Sequence, residues 1–129
     1  MMASFNFELV SPERVLFSGD VNSVVVPAAE GEITVLANHA PFMSAVRPGV
    51  VTVDGGKRLF VRGGFVDVNA SGLTLLAEQA VAVDEIDREK LAADLKSAED
   101  ELKGATGEAL AAAEDRFAAL SAMMAAVRS

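Results

Sequence analysis

Residues 50–77 read VVTVDGGKRLFVRGGFVDVNASGLTLLA, and this stretch decides the fold. Val50–Val53 and Leu59–Arg62 flank Asp54-Gly55-Gly56-Lys57; Phe65–Val68 and Leu73–Ala77 flank Asn69-Ala70-Ser71-Gly72. Glycine accepts the positive φ that tight turns require, so both linkers predict hairpins between short strands. Arg62-Gly63-Gly64 lies inside this pattern, where paired glycines mark a bulge or bend. The same rhythm runs back toward the amino terminus. Phe5, Phe7 and Leu9 alternate with Ser4, Asn6 and Glu8, the period of a half-buried strand. Val15–Phe17, Val21–Val26, Ile33–Leu36 and Phe42–Val46 follow, separated by Pro12, Gly19-Asp20, Gly31, Asn38 and Pro41. Turn residues recurring about every eight to twelve positions, with no helical period between them, predict a β-sandwich or barrel.

From Asp84 onward the period becomes helical. Asp84 is read as the N-cap, with Glu85 and Asp87 favouring the positive end of the helix dipole. Leu91, Leu95, Ala98 and Leu102 recur at helical spacing, and Gly104 and Gly107 around Thr106 give a stop and a restart. Leu110, Ala113, Phe117, Leu120, Met124 and Val127 line one face of a second helix. Two matching stripes joined by a short loop form an antiparallel hairpin. The expected fold is therefore a β-sandwich over residues 1–83 followed by a two-helix hairpin over residues 84–129.

Composition narrows function mainly by exclusion. The chain has 129 residues, no cysteine, one histidine and a net charge of −8. Thiol chemistry, cysteine-bound zinc and multi-histidine metal sites are ruled out. Phosphate backbones repel such an acidic chain, so nucleic acid is not expected as a partner. Phe117–Val127, the longest near-continuous apolar run, is about half the ~20 residues that span a bilayer. Met1-Met2-Ala3-Ser4-Phe5 lacks the basic head and apolar stretch of a secretion signal, so direct membrane insertion is not expected and the cytoplasm is the default location.

Few residues have the setting that chemistry needs. His39 could act as a general base, but nothing in the sequence sets a nucleophile and an orienting carboxylate beside it. Gly55-Gly56-Lys57 fails as a phosphate loop, because Val51 stands where the first glycine belongs and Arg58 replaces the serine or threonine. Glu30 and Glu32 flank Gly31 and could pair as acid and base, though a solvated loop explains them as well. These residues leave three readings open: a structural or coupling component, a free-standing sandwich with a helical lid that binds a ligand, and an acid–base hydrolase using Glu30 or Glu32 with His39.

The loops are more specific in combination. Val10-Ser11-Pro12-Glu13-Arg14 leading into Phe17-Ser18-Gly19 is followed by Glu30-Gly31-Glu32, Asn38-His39-Ala40-Pro41 and Arg47-Pro48-Gly49. Then come Gly63-Gly64-Phe65 and Leu75-Leu76-Ala77-Glu78, and finally two helices. In that order, over nearly the whole chain, these motifs resemble the epsilon subunit of F-type ATP synthases. The resemblance implies a non-catalytic rotor subunit of the central stalk. It would couple proton translocation to ATP synthesis, be held peripherally at the cytoplasmic face of a bacterial inner membrane, and carry no cofactor. It implies contact with the c-subunit ring through Glu30, Glu32 and His39, and with the gamma subunit through Ser11, Phe42 and Met43. The hairpin of this family can also reach the alpha and beta subunits and restrain ATP hydrolysis. Here the second helix offers only Arg116 and Arg128 against Glu108, Glu114 and Asp115, so restraint is expected to be weak. Some relatives bind ATP through an Ile/Leu-Asp-x-x-Arg-Ala signature. Ile86 and Asp87 fit it, but Lys90 replaces the arginine and Leu91 the alanine, and lysine lacks the two-pronged guanidinium. The motif is expected to be vestigial.

Overall fold

The computed structural model describes residues 3–128; the start read at Met1-Met2 lies outside them. The chain divides into two compact units, Met1–Val83 and Asp84–Ser129.

The first unit is a β-sandwich of eight strands: β1 (Phe5–Val10), β2 (Val15–Val21), β3 (Val24–Ala28), β4 (Gly31–Val35), β5 (Phe42–Ala45), β6 (Gly49–Val53), β7 (Lys57–Asn69) and β8 (Gly72–Ala82). Hydrogen bonding runs in the order β2-β1-β8-β7-β6-β3-β4, with β5 also paired to β7. All pairs are antiparallel except β1 with β8.

The two halves of β7 have different neighbours. Lys57–Val61 pair with β6, whereas Phe65–Val68 pair with β5. Between them Gly63 and Gly64 take φ values of 74° and 128°. The inward phase reverses at this point: Leu59 and Val61 are in the core before it, Val66 and Val68 after it. In β8 the same reversal occurs between Ala77 and Ala80, directly across the ladder from Gly64 and Val61. Both long strands thus turn a corner together and pass from one layer to the other, as strands that serve two sheets do at bends. Only glycine fits there. A Cβ on Gly64 would overlap the Leu76 carbonyl oxygen. The sequence reading of two strands, Leu59–Arg62 and Phe65–Val68, becomes one strand bent at its glycines.

Phe7, Leu9, Val24, Val26, Val51, Val61, Val66 and Leu75 fill the space between the layers, each fully buried. No polar side chain is buried among the described residues. The expected strand Val21–Val26 is in fact two. Asn22 and Ser23 form a turn whose backbone N–H groups donate to Asp54 Oδ1 at 2.7 and 3.0 Å. Neither glycine nor proline marks the break at Asn22-Ser23, which is why the sequence conceals it.

The second unit is the helical hairpin. Helix α1 (Arg88–Gly104) and helix α2 (Gly107–Arg128) are joined through Ala105 and Thr106. The cap differs from the expectation. Asp84 belongs to a single 3-10 turn, Val83–Glu85, and Asp87 caps α1, its carboxylate accepting from the Glu89 and Lys90 amides. Three acids within four residues made the choice ambiguous. Geometry resolves it, because an N-cap carboxylate must lie two to three residues before the free amides it satisfies. In α2 the buried residues are Ala113, Ala119, Ala126 and Val127, so the most buried face is set by alanines and lies partly off the expected stripe.

Candidate docking site

The unusual feature of the sandwich is on its outer surface. Among the described residues the exposed large hydrophobic side chains are Val15, Leu36, Met43, Phe65 and Leu76. Three of these fall on one line across five strands. Ala45 pairs with Phe65, Phe65 with Leu76, Leu76 with Val10, and Val10 with Val15. Met43 lies two residues from Ala45, so it projects from the same face. Phe65 is 49% exposed, Leu76 57%, Val15 58% and Met43 65%.

Local structure keeps this stripe facing outward. In β1 and β2 the register shifts between Leu9 and Val10, so Val10 opposes Val15 while Leu9 opposes Phe17. The extra residue lets both Leu16 and Phe17 pack on the core and leaves Val15 outside. In β7 and β8 the glycine corner reverses the phase just before Phe65, placing Phe65 and Leu76 outside while Val66 and Leu75 go in. Surface apolar residues scattered singly need no explanation, but a continuous row does.

Ser11 sits beside the Val10–Val15 end of the stripe, in a turn closed by its amide donating to the Arg14 carbonyl at 2.9 Å. Its hydroxyl donates to the same carbonyl at 3.3 Å. Met43 stands beside the other end. Phe42 points the opposite way and packs partly buried against the core.

Glu30, Glu32, Phe42 and Met43 come together at a second feature, an open groove of about 580 Å³ between the β3–β4 hairpin and β5. Ala29 and Glu30 make the turn, and Gly31 at φ 136° completes it, leaving Glu30 and Glu32 exposed. Ser44 ties the groove together: its hydroxyl accepts from the Ala29 amide at 3.2 Å and donates to the Ala45 carbonyl at 2.8 Å. His39 is exposed, its Nδ1 donating to the Ala40 carbonyl at 2.9 Å and its ring edge-on to Phe42 at 6.2 Å. The groove is open, with one aromatic residue in its lining.

Ile86 and Lys90 stand on either side of the α1 cap, and the Asp87 carboxylate is already engaged with the Glu89 and Lys90 amides at 3.0 and 3.2 Å. Among the described residues no group of three or more acidic or histidine side chains could hold a metal, and no helix is long and apolar enough to cross a membrane.

Ser11 and Met43, which the resemblance named as gamma contacts, border the stripe, whereas Val15, Phe65 and Leu76 were not singled out from the sequence. The signal available was parity: counted through Gly63-Gly64, Val61 and Phe65 cannot both face inward once the strand reverses phase.

The fold and its surfaces define a class: a small protein built of a β-sandwich followed by a two-helix hairpin, with a row of apolar side chains on an outer face of the sandwich. Comparison with known proteins is specific. The model of the ATP synthase delta/epsilon chain beta-sandwich domain matches residues 4–83. The ATP synthase epsilon chain of Maricaulis maris is 56% identical over 111 residues, covering 84% of each chain. That of Mesorhizobium japonicum is 48% identical over 121 residues, covering 91% of this chain and 90% of its own. A chain in the OSCP/F1/c-ring structure of the Euglena gracilis mitochondrial ATP synthase superposes with a TM-score of 0.86 at 26% identity, over 98% of this chain and 83% of that one. The chain belongs to the ATP synthase delta/epsilon family.

Proposed function

We propose that the chain is a non-catalytic rotor subunit of the central stalk of an F-type ATP synthase, coupling rotation of a c-subunit ring to ATP synthesis at the cytoplasmic face of a bacterial inner membrane. The observation that carries this reading is the stripe Val15–Val10–Leu76–Phe65–Ala45 with Met43. A part that passes torque needs a stiff body and two separate grips. The closed valine-rich core supplies stiffness. The stripe fits the gamma subunit, where apolar anchors at the centre of an interface dominate affinity. The groove fits the ring, with Glu30, Glu32 and His39 orienting the contact and setting its register more than its strength. Ser11 borders the gamma contact, and Phe42 anchors β5 to the core behind Met43. Asp87 serves as a helix cap in place of a nucleotide ligand, which agrees with a vestigial ATP motif at Ile86, Asp87 and Lys90.

Reconstituted complexes carrying Leu76→Glu or Glu32→Lys test the assignment. Leu76→Glu places a charge in the apolar contact and should weaken capture by the gamma subunit on the order of 100-fold. Glu32→Lys should leave that capture intact and reduce proton-driven ATP synthesis several-fold, most strongly at low salt. Wild-type assembly and coupling in both variants would defeat the reading.

A further inference from the structure

Arg88 is the first residue of α1, a place where positive charge opposes the helix dipole. Its guanidinium does not serve α1. Arg88 Nη2 donates to the carbonyl oxygen of Val127, thirty-nine residues on, in the last turn of α2. The final carbonyls of a helix lack partners within the helix, and a cation there is favourable both as donor and as charge. The unfavourable position in one helix is thus the favourable one for the other, because an antiparallel hairpin places the start of α1 beside the end of α2.

A second polar link crosses the hairpin closer to the loop, where Arg116 Nη1 donates to Glu101 Oε2 at 3.1 Å. On α1 the two links stand thirteen residues apart, about 20 Å along the axis. The hairpin's buried residues are Leu91, Ala98, Ala113, Ala119, Ala126 and Val127. Four of the six are alanines, which bury little area, so at the open end a polar link adds to what Leu91 and Val127 contribute by burial.

We propose that Arg88 is a clasp on the open end of the hairpin, and that the end of α2 comes free by release of this one guanidinium, independently of the link at Glu101. The clasp fixes how often the last turns of α2 leave α1 while the loop end stays closed. It is a charge-to-carbonyl bond, so salt loosens it less than the Arg116–Glu101 ion pair.

Segment-resolved hydrogen exchange on the full chain, comparing R88A, R88K and E101Q with wild type, tests this. R88A should speed exchange of the last two turns of α2 about tenfold or more and leave the sandwich strands at wild-type rates. Alanine has the higher helix propensity and removes the dipole conflict, so weakening of α1 cannot produce that result. R88K, which keeps the charge without the fork, should fall between. E101Q should act near its own site and leave the end of α2 unchanged. Unchanged exchange at the end of α2 in R88A would overturn the clasp. So would equal acceleration along the whole hairpin in both R88A and E101Q, or outright melting of the hairpin in R88A, since each means that it opens as one unit.

Discussion

In the sandwich, burial joins residues far apart in sequence through branched and aromatic side chains. Phe7 lies beside Leu73, Val24 beside Val53, and Val61 crosses the sheet to Ala80. In the hairpin the buried set is mostly alanine, with polar links at Arg88 and Glu101 joining two helices that are consecutive in the chain. The difference teaches where rigidity resides. Closing long-range strand pairs costs much chain entropy, so once formed they are held by dense packing and open only globally. A seam of alanines and single polar contacts can open locally. The stripe and groove proposed for docking lie on the first kind of structure, and the proposed clasp on the second.

The corner of the sandwich should give the largest effect. Gly64→Ala would drive a Cβ into the Leu76 carbonyl at a φ of 128°. Neither strand can yield without breaking the β7–β8 ladder, so the loss should reach about 4 kcal/mol. Urea unfolding followed by circular dichroism would measure it. A loss under about 1 kcal/mol would mean that the corner is as pliable as the hairpin and that the contrast is false.

A smaller effect is expected at Asp54, where the sandwich depends on a single exposed side chain. Its carboxylate holds the Asn22 and Ser23 amides, and its own backbone sits at φ 51°. Asp54→Ala removes two hydrogen bonds and leaves an unfavourable backbone for a residue with a Cβ, about 2 kcal/mol together. Asp54→Asn, which keeps an acceptor and tolerates this conformation, should recover about half of that loss. Equal loss in both variants would show that charge, and not geometry, fastens the β2–β3 turn to the β6–β7 turn.

What the sequence disclosed follows the same division. Hairpin turns at Asp54-Gly55-Gly56-Lys57 and Asn69-Ala70-Ser71-Gly72 were legible because turn chemistry is local. The two helices were legible because their period is local. The corner was half legible: Gly63-Gly64 marked a bend, but that β7 serves both layers depends on β5 and β6, distant in sequence. The exposure of Leu76 and Phe65 was not legible for the same reason, since their outward direction follows from a phase reversal set by partner strands. At the site, Glu30, Glu32 and His39 stood out as polar loop residues. That Phe42 and Met43 border the groove formed by the Glu30 turn required the fold.

The smallest effect concerns the start of the hairpin, where Asp87 accepts from the Glu89 and Lys90 amides. Asp87→Ala should cost about 1 kcal/mol, confined to the first turn of α1. Asp84→Ala, one 3-10 turn earlier, should cost less than about half of that, since no cap depends on it. Hydrogen exchange in the first turn of α1 would separate the two, and equal effects would return the cap to Asp84. The result also bears on the clasp. Arg88 follows Asp87 directly, so a frayed first turn should loosen the end of α2 as well, by less than R88A does. If Asp87→Ala frays α1 and leaves α2 untouched, the two ends are independent and the hairpin is weaker at its base than the clasp requires.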